Sequence, residues 1–361
     1  FVSLVAVDAP SYREREIADI VCARLRDLGL QIAEDQAGAA IGGNCGNVYA
    51  VWPGSRADLV PLLFCAHFDT VEPARGKRAV IQADGRITSA GDTVLGADDL
   101  SALTAIIEAI RSISEAGLPH RTVELLLTVA EEQHLAGSRH FEPERLKARQ
   151  AYVLDAEDAP GTAVIRAPGN IGLVFEVSGQ AAHAGMAPEA GISAITAAAR
   201  GIAAMRLGRI DRETTANIGR ISGGGETNIV ADTCIVTAEC RSQDRAKMEA
   251  QADHLCACME QAATAMGARL QIRRQTPYHP YAVAPDSLAL QRFRQACAEL
   301  SLPAAETPAG GGSDNNTLML HGFDGLVLTC GMKKVHTRQE EISIRDLLDT
   351  ARLVERLILI P

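Results

Sequence analysis

Leu62-Leu63-Phe64-Cys65-Ala66-His67-Phe68-Asp69-Thr70 is the stretch on which the reading of this chain turns. Residues 59–66 form an apolar run of strand length, broken only by Pro61. The run ends in His67 and Asp69, two residues apart. Side chains alternate along a strand, so both can point to the same face at its end. There an imidazole can hold a metal while the carboxylate supports chemistry beside it. Taken alone, a His-x-Asp pair is equally an ordinary strand end entering a polar turn. Its weight comes from the acidic and histidine positions that follow other apolar runs.

Residues 123–130 read as a second buried strand, ending in Glu131-Glu132, and residues 151–154 as a third, ending in Asp155. Leu95-Gly96-Ala97-Asp98-Asp99 leads into a helix whose stripe is Leu100, Leu103, Ile106, Ile107, Ile110 and Ile113. Acids in a first helical turn are common as caps and dipole partners, but two adjacent ones exceed what a cap needs. In open α/β sheets ligands sit outside the carboxyl ends of the strands. The order strand, helix, strand, strand therefore predicts an α/β fold with a mostly parallel sheet flanked by helices.

Further helices are expected at residues 13–28, from 138, and at 192–205, 245–266, 286–300 and 344–360. A loop is expected at 38–46, a strand at 47–52, and a hairpin at 79–82 with 86–88. The pattern changes near Ala167-Pro168-Gly169. Ile171, Leu173, Phe175 and Val177 alternate with other residues, as in a half-exposed strand of a different sheet. The elements that follow predict a small α+β unit with an antiparallel sheet. The run Pro308-Ala309-Gly310-Gly311-Gly312-Ser313-Asp314 is glycine-rich, but it lacks the Gly-Lys-Ser/Thr ending of a phosphate loop.

With 361 residues the chain exceeds one ordinary core, so two domains are expected. An apolar share of 47% and a charged share of 22% suit a soluble globular protein. A net charge of −10 argues against nucleic acid or an anionic membrane as partner. Nine cysteines, an odd count without Cys-x-x-Cys, point to free thiols in a reducing, cytoplasmic setting rather than to disulfides or a zinc ribbon. No signal-peptide pattern opens the chain as given, and no apolar run reaches about 18 residues.

The chemistry-bearing set is His67, Asp69, Asp98, Glu131, Glu132, Asp155 and His336. Two histidines and several carboxylates suit zinc, manganese or cobalt better than thiolate-seeking metals. Five ligands are too many for one tetrahedral site with an open position, and fit two metals ~3.5–4 Å apart that share a carboxylate.

Ala66-His67-Phe68-Asp69-Thr70, Leu95-Gly96-Ala97-Asp98-Asp99, Ala130-Glu131-Glu132, Val153-Leu154-Asp155, Gly311-Gly312-Ser313-Asp314 and Val335-His336-Thr337 stand in one order along nearly the whole chain. In that order the sequence resembles the di-zinc metallopeptidases of clan MH, the group of aminoacylase, carboxypeptidase G and peptidase T, and is most similar to the peptidase T-like branch. The resemblance implies two Zn2+ per chain, with Co2+ or Mn2+ as substitutes. It implies that His67 and Asp155 bind one metal, Glu132 and His336 the other, and that Asp98 bridges them. Asp69 would orient His67, and Glu131 would be the general base. His183, in Ala182-His183-Ala184-Gly185-Met186-Ala187-Pro188, resembles the oxyanion-stabilising histidine, which dimeric members take from the partner subunit. Asn228 and Arg241 match substrate-binding positions, Arg241 as a clamp on a substrate carboxylate. Residues 170–275 would be an inserted lid or dimerisation domain, and residues 1–169 with 276–361 a discontinuous catalytic domain. The implied activity is removal of an N-terminal residue from a small peptide, with an N-acyl amino acid deacylase, a carboxypeptidase or a metal-binding protein without turnover as alternatives. The implied assembly is a homodimer through the lid. Glu157 and Asp158, just past Asp155, are more acidic than the family pattern and are candidates for a competing ligand or for substrate charge preference.

Overall fold

The computed structural model describes residues 1–361 as two compact units, Phe1–Arg166 with Ala282–Pro361, and Ala167–Tyr281. The larger unit is built on a nine-stranded sheet. Its strands are β1 (Gln31–Glu34), β2 (Val48–Trp52), β3 (Leu62–His67), β4 (Val123–Thr128), β5 (Gln150–Ala156), β6 (Thr162–Ala167), β7 (Tyr281–Ala282), β8 (Ala305–Pro308) and β9 (Asp324–Thr329). They lie in the order β1-β2-β4-β3-β5-β9-β6-β7, with β8 against β6. The central run β4-β3-β5-β9 is parallel. Antiparallel pairings flank it, from β1 and β2 on one side and from β6 on the other.

β3 and β4 are buried at every position, as strands covered on both faces must be. The helix α1 (Ala97–Glu115) covers one face. Its six predicted stripe residues are 3% exposed or less. The helix α2 (Ile344–Leu359) packs against α1 and starts from Ser343, whose Oγ accepts the Asp346 N–H at 2.9 Å. The hairpin Ala79–Ile81 with Arg86–Ser89 forms as expected and gains a third strand, Glu341–Ser343.

Two local expectations need correction. No α-helix follows Glu131-Glu132; turns and two short 3-10 segments, Ser138–His140 and Pro143–Arg145, take its place. Phe141 is extended, with φ −67° and ψ 155°, and ends the first segment after one turn. The 38–46 loop contains the short helix Ala37–Ile41. The glycine-rich run passes at Ser313 into the helix Asp314–Leu320, where the Ser313 N–H donates to Asn316 Oδ1 at 3.0 Å.

The smaller unit is a five-stranded antiparallel sheet in the order Gly208–Arg209, Thr214–Gly223, Thr233–Ser242, Gly169–Ser178, Arg269–Tyr278. Ile171, Leu173, Phe175 and Val177 are its buried face, each 1% exposed or less. The helices Ala194–Ala204 and Arg245–Met266 pack on that face. Ser193 and Asp244 cap them, accepting the N–H of Thr196 at 3.2 Å and of Lys247 at 3.0 Å.

Candidate active site

The carboxyl ends of the parallel strands deliver the chemistry. β3 ends at His67, β4 runs on to Glu131 and Glu132, and Asp155 lies next to last in β5. Asp98 comes from the loop that opens α1, and His336 from the segment after β9. The structure brings His67, Asp98 and Asp155 within ligand distance of one another, and likewise Asp98, Glu132 and His336. His67, Glu131 and Glu132 form a third such group.

Asp98 joins the first two groups through different oxygens. Oδ1 lies 3.0 Å from His67 Nε2, on the side where Asp155 Oδ1 is 3.8 Å from the same nitrogen. Oδ2 lies 3.1 Å from His336 Nε2, which is 2.9 Å from Glu132 Oε1. The adjacent Asp99 turns the other way, and its Oδ2 accepts the His67 backbone N–H at 3.1 Å. Neither aspartate serves as a simple helix cap. Both sit outside helical geometry, with ψ of 103° and 28°, and the peptide bond between them is cis.

His67 Nδ1 donates to the Asp69 backbone carbonyl at 2.9 Å, while the Asp69 carboxylate stands 3.4 Å away. That bond keeps a proton on Nδ1 and turns Nε2 toward Asp98. The Asp69 carboxylate is engaged chiefly elsewhere: it accepts the N–H of Glu131 at 2.9 Å, the N–H of Glu132 at 3.3 Å and the Ser11 hydroxyl at 2.7 Å. It therefore fixes the Glu131-Glu132 turn as well as the ring. Glu14 supports the same turn, accepting the Ala130 N–H at 3.0 Å, and Ala130 adopts φ +49°.

The electrostatics follow from crowding acids under cover. Burial, with Asp155 beside it, pushes Glu131 far above the usual carboxylate range. Burial lifts Asp155 to about 7 and raises Glu132. On His67 burial opposes the charge, but Asp155, Asp69 and Asp98 outweigh it and push the ring well up. His336 rises to about 10 beside Asp98 and Glu132. Burial also works against charge on Asp98, yet His336 and His67 overcome it and hold the carboxyl down. Such a set requires a compensating cation or shared protons.

The donor set fits metal ions on geometric grounds. His67 Nε2 and an Asp98 oxygen face each other at 3.0 Å. Glu132 Oε1 and Asp98 Oδ2 converge on His336 Nε2, at 2.9 and 3.1 Å. Imidazole nitrogens and carboxylate oxygens gathered in this way are a donor set suited to a cation.

Glu157 and Asp158 join none of the ligand groups. Glu157 Oε1 accepts the Val335 N–H at 3.0 Å, and the Asp158 backbone pairs with Met332 and Gly331. Cys65 is fully buried with Sγ 3.8 Å from Asp314 Oδ2. Ser11, Glu14 and Glu340 support the cluster without any local signal that marks them in the sequence, whereas Asp99 stands out there as an acid beyond what a cap needs.

The remaining candidates lie in the smaller unit. His183 is exposed, and its Nδ1 accepts the N–H of Gly185 at 3.2 Å and of Met186 at 3.1 Å. The ring proton is therefore on Nε2, which points away from that turn as a donor. The next residue ties this segment to Asn228, whose carbonyl accepts the Ala184 N–H at 2.8 Å. The Arg241 guanidinium meets Glu239 in a fork, at 3.0 and 3.1 Å.

Comparison with known proteins fits this architecture. Residues 165–266 match the peptidase dimerisation domain, and residues 47–185 match peptidase family M28. The uncharacterized protein YqjE of Bacillus subtilis is 36% identical, with 99% of this chain and 96% of that one covered. The aminopeptidase PepT of Bacillus cereus superposes with a TM-score of 0.89 at 38% identity, covering 99% of this chain and 96% of the other. A tripeptidase of Staphylococcus aureus gives 0.93 at 33% identity, covering 99% and 95%. Fold, inserted unit and site together define a peptidase of clan MH. Within that clan the chain belongs to the peptidase T-like family.

Proposed function

We propose that the protein is a zinc-dependent aminopeptidase that removes the N-terminal residue of short peptides, tripeptides above all. The observation that carries this reading is the division of Asp98, one oxygen with His67 and Asp155 and the other with Glu132 and His336. Two Zn2+ would be held by these five side chains, with Asp98 shared. When bound, the cations supply Lewis acidity, which lowers the pKa of water and polarises the scissile carbonyl.

Glu131 takes the proton of the attacking water and hands it to the leaving amine. Burial raises its affinity for a proton, which strengthens it as the acceptor from water. Asp69 holds the Glu131 backbone and the His67 ring in place. His183 is the oxyanion donor in this reading, supported by its Nε2–H tautomer. Arg241 binds the substrate carboxylate, which would displace Glu239 from its guanidinium fork, and Asn228 lines the same substrate. The larger unit is the catalytic domain and the smaller the lid and dimerisation domain.

A homodimer through the smaller unit is supported by one strand. Thr214–Gly223 is paired along one side by Thr233–Ser242, but on its other side only Thr215 and Ala216 are paired. Ile221 on the open stretch is 51% exposed, and Ile195 on the neighbouring helix is 39% exposed. An unpaired edge beside apolar side chains suits a second copy. Nine cysteines without a disulfide support a reducing compartment, and no helix is long and apolar enough to cross a membrane.

The deciding experiment is hydrolysis of a mixed library of tripeptides and N-acyl amino acids by the zinc-loaded protein, read by mass spectrometry. Loss of one N-terminal residue from tripeptides is expected. Loss of a C-terminal residue or of an acyl group would overturn the aminopeptidase assignment.

A further inference from the structure

One carboxylate outside the ligand set grips the loop that presents Asp98. Gly96 adopts φ +77°, and its N–H and that of Asp98 both donate to Glu340. Oε2 accepts from Gly96 at 2.7 Å and Oε1 from Asp98 at 3.0 Å. Backbone N–H groups gathered around a left-handed residue form a small anion nest, and here a side chain of the same protein fills it. Glu340 is 1% exposed.

Glu340 also stands four residues after His336, in a loop closed by two backbone hydrogen bonds between Lys333 and Glu341, at 2.9 and 3.1 Å. The other end of that loop is held at Val335, whose N–H donates to Glu157 at 3.0 Å. Glu157 lies two residues past Asp155. The loop carrying His336 is thus fastened to the Asp98 loop at one end and to the Asp155 strand at the other. It needs fastening: the His336 side chain is 51% exposed, and its own backbone holds φ +61°. By contrast His67 ends a fully buried strand and Asp155 lies near the end of another, so their positions are set by the sheet.

We propose that Glu340, seconded by Glu157, is a positioning residue that keeps the His336 loop in register with Asp98, and so sets the affinity of the cation bound by Asp98, Glu132 and His336. The proposal rests on the two-cation reading above. Removing the clamp frees the loop, while the His67 and Asp155 side of the cluster keeps its strands. A carboxylate that merely capped α1 would lower stability without favouring one cation over the other.

The test strips the full chain with chelator and titrates it with Co2+, following visible absorption and calorimetry, in wild type, Glu340→Gln, Glu157→Gln and His336→Ala. The amide of Glu340→Gln offers one acceptor and sets a donor against the second backbone N–H. Wild type is expected to bind two equivalents, and His336→Ala to lose one of them. Glu340→Gln should weaken that same equivalent tenfold or more and leave the other within threefold, with kcat on a tripeptide falling and KM little changed. Glu157→Gln should shift it in the same direction by less. Equal weakening of both equivalents, or no weakening, overturns the proposal. If Glu340→Gln does not fold, Glu340→Asp, which retains the charge but is too short to reach both N–H groups, is read by the same two outcomes. A wild type that binds fewer than two cations would instead remove the two-cation reading itself.

Discussion

At the scale of single residues the decisive feature is the unequal use of neighbouring acids. Asp98 and Asp99 are adjacent, yet one faces two histidines and the other holds a backbone N–H. Glu131 and Glu132 divide similarly: Glu132 meets His336, and burial holds Glu131 far above the usual carboxylate range. Glu131→Gln is therefore expected to lose about 10²–10⁴-fold in kcat, the range of a general acid–base residue, while metal analysis still finds wild-type zinc content. Full turnover in that variant would remove the mechanism. Asp69→Asn should disturb two things at once, because the carboxylate accepts both Glu131 and Glu132 N–H groups. Reduced kcat together with weaker metal retention is the expected result, measured by activity and zinc content after dialysis.

At the scale of elements, the loop that opens α1 is a closely packed joint. A Cβ added at Gly96 would meet Lys77 Cε and Thr70 Cγ2, each at 3.1 Å, in a backbone already at φ +77°. Gly96→Ala is expected to cost roughly 1–2 kcal/mol from the left-handed conformation alone and to lower zinc affinity, since the loop carries Asp98. Denaturant unfolding and metal titration measure the two effects. Helix caps give a milder contrast. Asp244 accepts the Lys247 N–H and opens the 22-residue helix of the smaller unit. Asp244→Ala should cost about 1 kcal/mol without changing zinc content, which a melting curve and metal analysis together resolve.

At the scale of the whole molecule, the cluster ties stability to metal and pH. Asp155 and Glu340 are lifted by burial to about 7, above their ordinary 3.8 and 4.5. A raised carboxyl favours the folded protein in its neutral form, so this stability is present at low pH and lost between about 4 and 7. His336, raised to about 10 from 6.5 by Asp98 and Glu132, contributes stability below 6.5 that is lost as pH climbs toward 10. Both effects carry the same sign. In chelator the melting temperature should therefore fall as pH rises from 5 to 9. Zinc competes with the same protons, so its stabilisation should grow over that range. A chelated protein whose melting temperature rises with pH would contradict the assignment. The sequence by itself determined the residue types at the strand ends, the stripe of α1 and the alternation of Ile171 to Val177, because these follow from local composition and from periods of two and 3.6 residues. Its six ordered motifs also carried the family. Only the tertiary structure decided which oxygen of Asp98 faces which histidine, that the antiparallel strands flank a parallel centre, and that only 3-10 turns, not an α-helix, follow Glu132. It alone shows that Ser11, Glu14, Asp99 and Glu340 support the site. Glu340 meets Gly96 across 244 residues of chain, and no local spacing specifies that partner; the contact exists because packing buries both groups where each must find a hydrogen bond.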